Sequence, residues 1–285
     1  MIVISGSSHP RLAIEIGLAL QCKALIKPFQ EFSDHEIKPI ELASLKDDTV
    51  VIVQSTSNPA DKHIFELLLL IHAAKRAQAA RIIVVIPYYG YAREHHSATL
   101  VAQLLSTASI DHIVTIDIHQ NNPNMAHLKW TNLTATPLLL HYLNIKPTDV
   151  IVFPDAGSRN RLSHIATSHK YNTQTIPKIR DPNGIVHMPD HIENIANQHC
   201  IIVDDIVDSG DTLAKCAKLL YCSGAQSVSA AITHPVFSKN NLPLDLFKQF
   251  AITNTIHQAN PSKHVVYVSV SKLLADAIKD IAATS

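Results

Sequence analysis

Short apolar runs rich in Val and Ile alternate along the chain with stretches whose apolar positions recur at helical spacing. The runs at 2–5, 50–54, 82–87, 112–117, 149–153, 173–178, 200–205, 228–233, 250–252 and 265–270 predict strands. Most are continuous rather than alternating, which suits parallel strands buried on both faces. Between them lie helical patterns. Pro10 opens one, with Leu12, Ile16 and Leu20 on one stripe. A second begins at Asn58-Pro59, which offers an N-cap and a first-turn proline, and carries Phe65, Leu68, Leu69 and His72 at helical spacing. Repeated strand–helix–strand units imply a doubly wound α/β architecture.

There are too many strands for one sheet, so two sheets and two domains are expected, 1–143 and 144–285. The boundary falls just before the strand at 149. No Gly/Ser-rich linker separates them.

Composition narrows the function classes. The 24 basic and 24 acidic residues balance, which gives no general electrostatic reason to bind nucleic acid or an acidic membrane, so any phosphate chemistry must be local. The longest apolar run, residues 67–71, is far below the ~20 residues of a membrane span. The N-terminus, MIVISGSSHP, lacks the pattern of a secretory signal, and a cytoplasmic enzyme is expected. None of the four cysteines forms a C-x-x-C pair, and the 18 histidines show no H-E-x-x-H or Cys/His metal spacing.

The most informative stretch is CIIVDDIVDSGDTL at 200–213. An apolar strand leads to two acids, Asp204 and Asp205. A turn of Asp208, Ser209, Gly210, Asp211 and Thr212 follows, and then a helix. Open α/β sheets bind ligands at such carboxyl-edge turns, and main-chain N–H groups at a helix start favour phosphate. Asp204 and Asp205 can each accept hydrogen bonds from vicinal hydroxyls. An ordinary capped helix needs one such residue, not this many.

That loop resembles the sugar-phosphate loop of type I phosphoribosyltransferases and of ribose-phosphate diphosphokinases. Further segments favour the second family: Phe32-Ser33-Asp34-His35-Glu36, Pro87-Tyr88-Tyr89-Gly90-Tyr91-Ala92-Arg93, Asp117-Ile118-His119, Pro154-Asp155-Ala156-Gly157 with Arg161 after it, and Lys178-Ile179-Arg180. Asn254-Thr255 and residues 269–275 match its C-terminal part. The resemblance implies two tandem phosphoribosyltransferase-like α/β domains, each a mainly parallel sheet flanked by helices. The N-terminal one would contribute ATP-site residues, and the C-terminal one would carry the ribose 5-phosphate loop. The implied reaction transfers the diphosphate of ATP to the C1 hydroxyl of ribose 5-phosphate and releases AMP. Lys178 and Arg180 would be catalytic. Phe32, Asp34, Glu36, Arg93 and His119 would bind ATP, and Asp204, Asp205 and residues 208–212 the ribose 5-phosphate. His119 and Asp155 would serve a Mg²⁺ centre. A homo-oligomer is implied, a dimer or a hexamer built from dimers.

The sequence departs from the family in four places. Glu94 stands where glutamine is usual. Only Glu94-His95-His96 separate Arg93 from the next helix, expected near Ser97, where relatives carry a longer basic loop that makes allosteric contacts. Asp211 and His35 occupy positions usually held by glycine. These departures keep two alternatives open: a weakened homologue that regulates an active partner, and a phosphoribosyltransferase acting on a nucleobase. The segments assigned to ATP argue against the latter.

Overall fold

In the computed structural model, residues 1–119, 128–169, 171–177, 179–180, 186–238, 242 and 244–284 are described, with backbone alone at 163–169, 179–180 and 186–187. The chain divides into two compact units. One comprises Met1–Thr134, Thr255–His257 and Ser269–Ser285, the other Ala135–Asn254 and Gln258–Val268.

The first unit runs β1 (Ile2–Ser5), α1 (Pro10–Ala19), β2 (Lys23–Ile26), β3 (Thr49–Val53), α2 (Ala60–Arg76), β4 (Arg81–Ile86), α3 (His95–Thr107), β5 (His112–Ile116) and β6 (Trp130–Leu133). Its six strands form one sheet in the order β2-β1-β3-β4-β5-β6, and every pairing is parallel. The second unit contains α4 (Thr136–Tyr142), β7 (Val150–Phe153), α5 (Ala156–His169), β8 (Asn172–Thr175), β9 (Ile179–Arg180), β10 (Val186–His187), β11 (His199–Val207), α6 (Asp211–Cys222), β12 (Ser227–Pro235), β13 (Phe250–Thr253) and β14 (Val266–Val268). Its main sheet is again six-stranded and parallel, in the order β14-β13-β12-β11-β7-β8, while β9 and β10 pair antiparallel apart from it. The final helix, α7 (Ser271–Ala283), returns to the first unit.

The central strands are the continuous Val/Ile runs. Val50, Val51, Ile52 and Val53 are buried, as are Val150, Ile151, Val152 and Phe153, because helices cover both sheet faces. Two strands of the main sheets, and the two-residue strands β9 and β10, escaped the sequence pattern. The edge strands β2 (KALI) and β6 (WTNL) are only partly buried, so neither needs a continuous apolar run.

The unit division at Thr134–Ala135 precedes the boundary expected at 143, because Leu139, Leu140 and Leu143 of and after α4 pack with Ile151 and Phe153 of β7. On α2 the buried face is not the expected Phe65/Leu68/Leu69/His72 stripe. Ile64, Leu67, Leu70, Ile71 and Ala74 face the core, and Phe65 is 54% exposed. Five consecutive apolar residues give both faces an apolar stripe, so spacing alone could not choose between them. The helix is capped by Pro59 in an extended conformation, without a side-chain bond, rather than by Asn58. Among the described residues no helix is long and apolar enough to cross a membrane.

Candidate active site

In the second unit, β11 carries Asp204 and Asp205 inside the strand rather than at its end, since it continues to Val207. The strand then turns into α6 through Asp208, Ser209 and Gly210. Gly210 is the N-cap and sits at φ +81°, a left-handed conformation that glycine adopts without steric penalty. The cap brings no side-chain acceptor to the first turn of α6. The Ser209 hydroxyl donates to Asp211 Oδ2 at 2.8 Å and accepts from the Asp211 N–H at 3.3 Å. Asp208 Oδ1 accepts from the Ser238 N–H at 3.1 Å, which ties the turn to the segment after β12. Residues 208–212 thus form a turn whose helix N-terminus suits an anion.

The two acids are gripped from α5. Asp155 caps that helix, its Oδ1 accepting from the Ser158 N–H at 2.9 Å. The Ser158 hydroxyl lies 2.8 Å from Asp204 Oδ1, and one turn further on Arg161 donates through Nη2 to Asp205 Oδ1 at 2.7 Å. Burial, and then the adjacent Asp205 carboxylate, push Asp204 well above the ordinary carboxylate range, against the opposing pull of Ser158 and Arg161. Ionising both acids therefore costs the folded state, and the cost is felt as pH rises through that raised value.

Asp155, Ser158, Arg161, Asp204 and Asp205 thus converge in one unit. The sequence singled out Asp155 and both acids. It had no role for Arg161 and passed over Ser158, although their i, i+3 spacing at the start of a helix puts them on one face. Lys178 lies outside the described residues. Arg180 lies in β9, where its backbone pairs with Val186; the strand expected over 173–178 ends at Thr175.

In the first unit, Phe32, Asp34 and Glu36 share a tight turn. The Phe32 N–H donates to Glu36 O at 2.8 Å, and the Glu36 N–H to Asp34 Oδ1 at 3.2 Å. His35 adopts φ +70°, so this histidine takes up the left-handed geometry for which glycine is usual. Phe32 is 51% exposed, and Lys38 Nζ stands 4.9 Å from its ring centroid. Beside it lies an open groove of about 1000 Å³, lined by Phe32, Glu36, Ile37, Lys62, Phe65 and Leu69. The exposed face of α2 therefore meets the Phe32 turn.

Arg93 is exposed at the end of the turn after β4. That turn is pinned at Gly90, whose N–H donates to Thr56 Oγ1 at 2.6 Å. Glu94 is the N-cap of α3, which begins at His95, two residues earlier than expected. Its carboxylate accepts from the N–H groups of His96 and Ser97 at 2.9 and 2.8 Å, and these bonds hold its pKa down to about 2. The carboxylate that replaced glutamine is thus turned into its own helix. His119, half-buried, follows β5 in the first unit, whereas Asp155 belongs to the second. Among the described residues no cluster of three or more His, Cys, Asp or Glu could hold a metal ion by itself.

Two parallel six-stranded sheets, the second with an acidic pair leading into a glycine-capped turn, define a tandem phosphoribosyltransferase-like protein. Residues 1–109 match the N-terminal domain of ribose phosphate pyrophosphokinase, and residues 141–265 the phosphoribosyl transferase domain. The ribose-phosphate pyrophosphokinase of Bacillus caldolyticus is 33% identical over 95% of this chain and 91% of its own. That of Haemophilus influenzae is 33% identical over 98% and 95%. The crystal structure of phosphoribosylpyrophosphate synthetase from Mycobacterium smegmatis superposes with a TM-score of 0.87 at 27% identity, covering 100% of this chain and 99% of its own. The chain belongs to the ribose-phosphate pyrophosphokinase family and is an enzyme of that class.

Proposed function

We propose that this chain transfers the diphosphate of ATP to ribose 5-phosphate, with the sugar phosphate held in the second unit. The C1 hydroxyl oxygen bonds to the β-phosphorus, the bond from that phosphorus to the oxygen bridging it to the α-phosphorus breaks, AMP departs and the hydroxyl proton is released. The observation that carries this reading is the junction of β11 and α6, where two carboxylates suited to vicinal hydroxyls precede a turn suited to a phosphate.

In this reading the N–H groups and hydroxyls of residues 208–212 hold the 5-phosphate, and Asp204 and Asp205 the ribose hydroxyls. Phe32 stacks on adenine, Asp34 and Glu36 accept from its amino group, and Arg93 and His119 meet the phosphates. The groove beside Phe32 supports the adenine assignment, being open and part aromatic. Lys178 and Arg180 stabilise charge on the transferring group, since such transfers depend on positioning and electrostatics. Asp155, as an oxygen donor, fits Mg²⁺ better than the His119 imidazole does, and an ion held mainly by water and substrate oxygens needs no three-residue protein cluster. When bound, Mg²⁺ would neutralise phosphate charge. A cytoplasmic homo-oligomer completes the proposal.

Calorimetry with ribose 5-phosphate tests the site. Saturable binding that is lost in Ser209→Ala/Thr212→Ala supports it. Undiminished binding in that variant refutes the assignment of residues 208–212.

A further inference from the structure

We propose that Arg161 is a positioning residue of the sugar site, setting the enzyme's preference for a five-carbon sugar phosphate that carries both the C2 and C3 hydroxyls. The proposal rests on the reading of Asp204 and Asp205 given above.

Arg161 reaches from α5 to the acids on β11. Its Nη2 is 2.7 Å from Asp205 Oδ1 and 3.7 Å from Asp204 Oδ1, so a single cation serves both carboxylates. The Arg161 side chain is 15% exposed and that of Asp205 only 2%, so the contact is shielded from bulk water, unlike a surface ion pair. Ser158 holds Asp204 in the same manner, through Oδ1, and the Asp205 N–H adds a bond to that atom at 3.0 Å. Each acid is therefore fixed through one named oxygen by a residue on a single helix.

Two properties of arginine matter here. The rigid planar guanidinium aims its Nη2 donor in a set direction at the bonded oxygen, which a flexible ammonium does less well. Its charge offsets part of the repulsion between the neighbouring acids, which would otherwise drive them further apart. A carboxylate selects a hydroxyl pair only when its lone pairs point at both positions. Arg161 supplies that orientation without touching the sugar. The Arg161 Nε is buried and makes no hydrogen bond, so the residue's polar contacts to the acids run through the far end of its fork.

The test compares wild type, Arg161→Met and Arg161→Lys in the full-length protein. Calorimetry gives the dissociation constants of ribose 5-phosphate, 2-deoxyribose 5-phosphate and 3-deoxyribose 5-phosphate, and steady-state assays give KM for ATP. In wild type the deoxy sugars should bind about tenfold or more weakly, as expected when a site's polar groups lose a partner. Arg161→Met should weaken ribose 5-phosphate about tenfold while leaving at least one deoxy sugar within a factor of about two, so that the preference collapses. KM for ATP should stay unchanged, and Arg161→Lys should recover part of the preference. An Arg161→Met protein that weakens all three sugars equally, or leaves the preference intact, overturns the proposal. If Arg161→Met does not fold, Arg161→Lys and Ser158→Ala must each narrow the preference, and failure of either to do so overturns the proposal. A wild type that makes no AMP from ribose 5-phosphate sinks the functional reading itself, an outcome distinct from an active enzyme whose preference ignores Arg161.

Discussion

Replacing Gly90 by alanine would force the turn that carries Arg93 out of place. A Cβ at this position would lie 2.1 Å from the carbonyl oxygen of Thr56 and 3.2 Å from Thr56 Oγ1. The obstacle is backbone in the segment that follows β3, so a side-chain rotation cannot relieve it. Overpacking of this kind costs about 1–3 kcal/mol. Separating the two segments would also break the 2.6 Å bond from the Gly90 N–H to Thr56 Oγ1, for about 1 kcal/mol more. The combined loss, about 2–4 kcal/mol, corresponds to a fall in Tm of roughly 5–15 °C for a domain of this size. Scanning calorimetry would measure it. Arg93 lies three residues beyond Gly90, so a displacement approaching 1 Å should also raise KM for ATP by about tenfold, with KM for ribose 5-phosphate little changed. A Gly90→Ala enzyme with wild-type Tm and wild-type KM for ATP would show that the turn is not pinned at Thr56 and would refute the reasoning.

Further expectations follow from the same residues. Lys178→Ala and Arg180→Ala should each lower kcat far more than substrate affinity, by about 2.7–4 kcal/mol in barrier; kcat values within about twofold of wild type in both variants would remove them from the chemistry. The Glu94 carboxylate is held at about pKa 2, below its ordinary value. Its capping contribution should be fully present above pH ~4.3 and fade as pH falls toward 2, so the Tm advantage of wild type over Glu94→Gln should shrink only below about pH 4. A difference that is constant from pH 2.5 to 7 would show that the charge plays no part. ADP should inhibit by simple competition with ATP, because α3 starts directly after Glu94 and leaves no long basic loop to hold a second nucleotide. Cooperative inhibition that persists at saturating ATP would contradict this.

The sequence was most legible where burial is two-sided. Val50 to Val53 and Val150 to Phe153 are apolar at every position, and continuous apolarity has few structural meanings. It was least legible at the margins. The edge strands β2 and β6 carry lysine, threonine and asparagine because neither is fully buried. On α2 apolar residues surround the helix, and only the fold reveals that Leu67 and Leu70 face the core while Phe65 faces the groove. The strand–turn–helix junction at 208–212 was readable because its pattern is local in sequence. The grip of Ser158 and Arg161 on Asp204 and Asp205 was not, since it joins residues 46 and 44 positions apart that only the alignment of α5 beside β11 brings together. Glu94 posed the opposite difficulty. In the sequence it is legible only as a departure from the usual glutamine, whereas its place before the first turn of α3 gives the carboxylate a helix terminus to cap.

The most direct test of the central claim identifies the nucleotide released when the purified protein is given Mg-ATP and ribose 5-phosphate. Transfer of the β- and γ-phosphates as one unit predicts AMP, formed in equal amount with a phosphoribosyl diphosphate and only when ribose 5-phosphate is present. Release of ADP would mean that a single phosphoryl group had moved, and no nucleotide product at all would mean that the chain does not catalyse the transfer; either result would contradict the account.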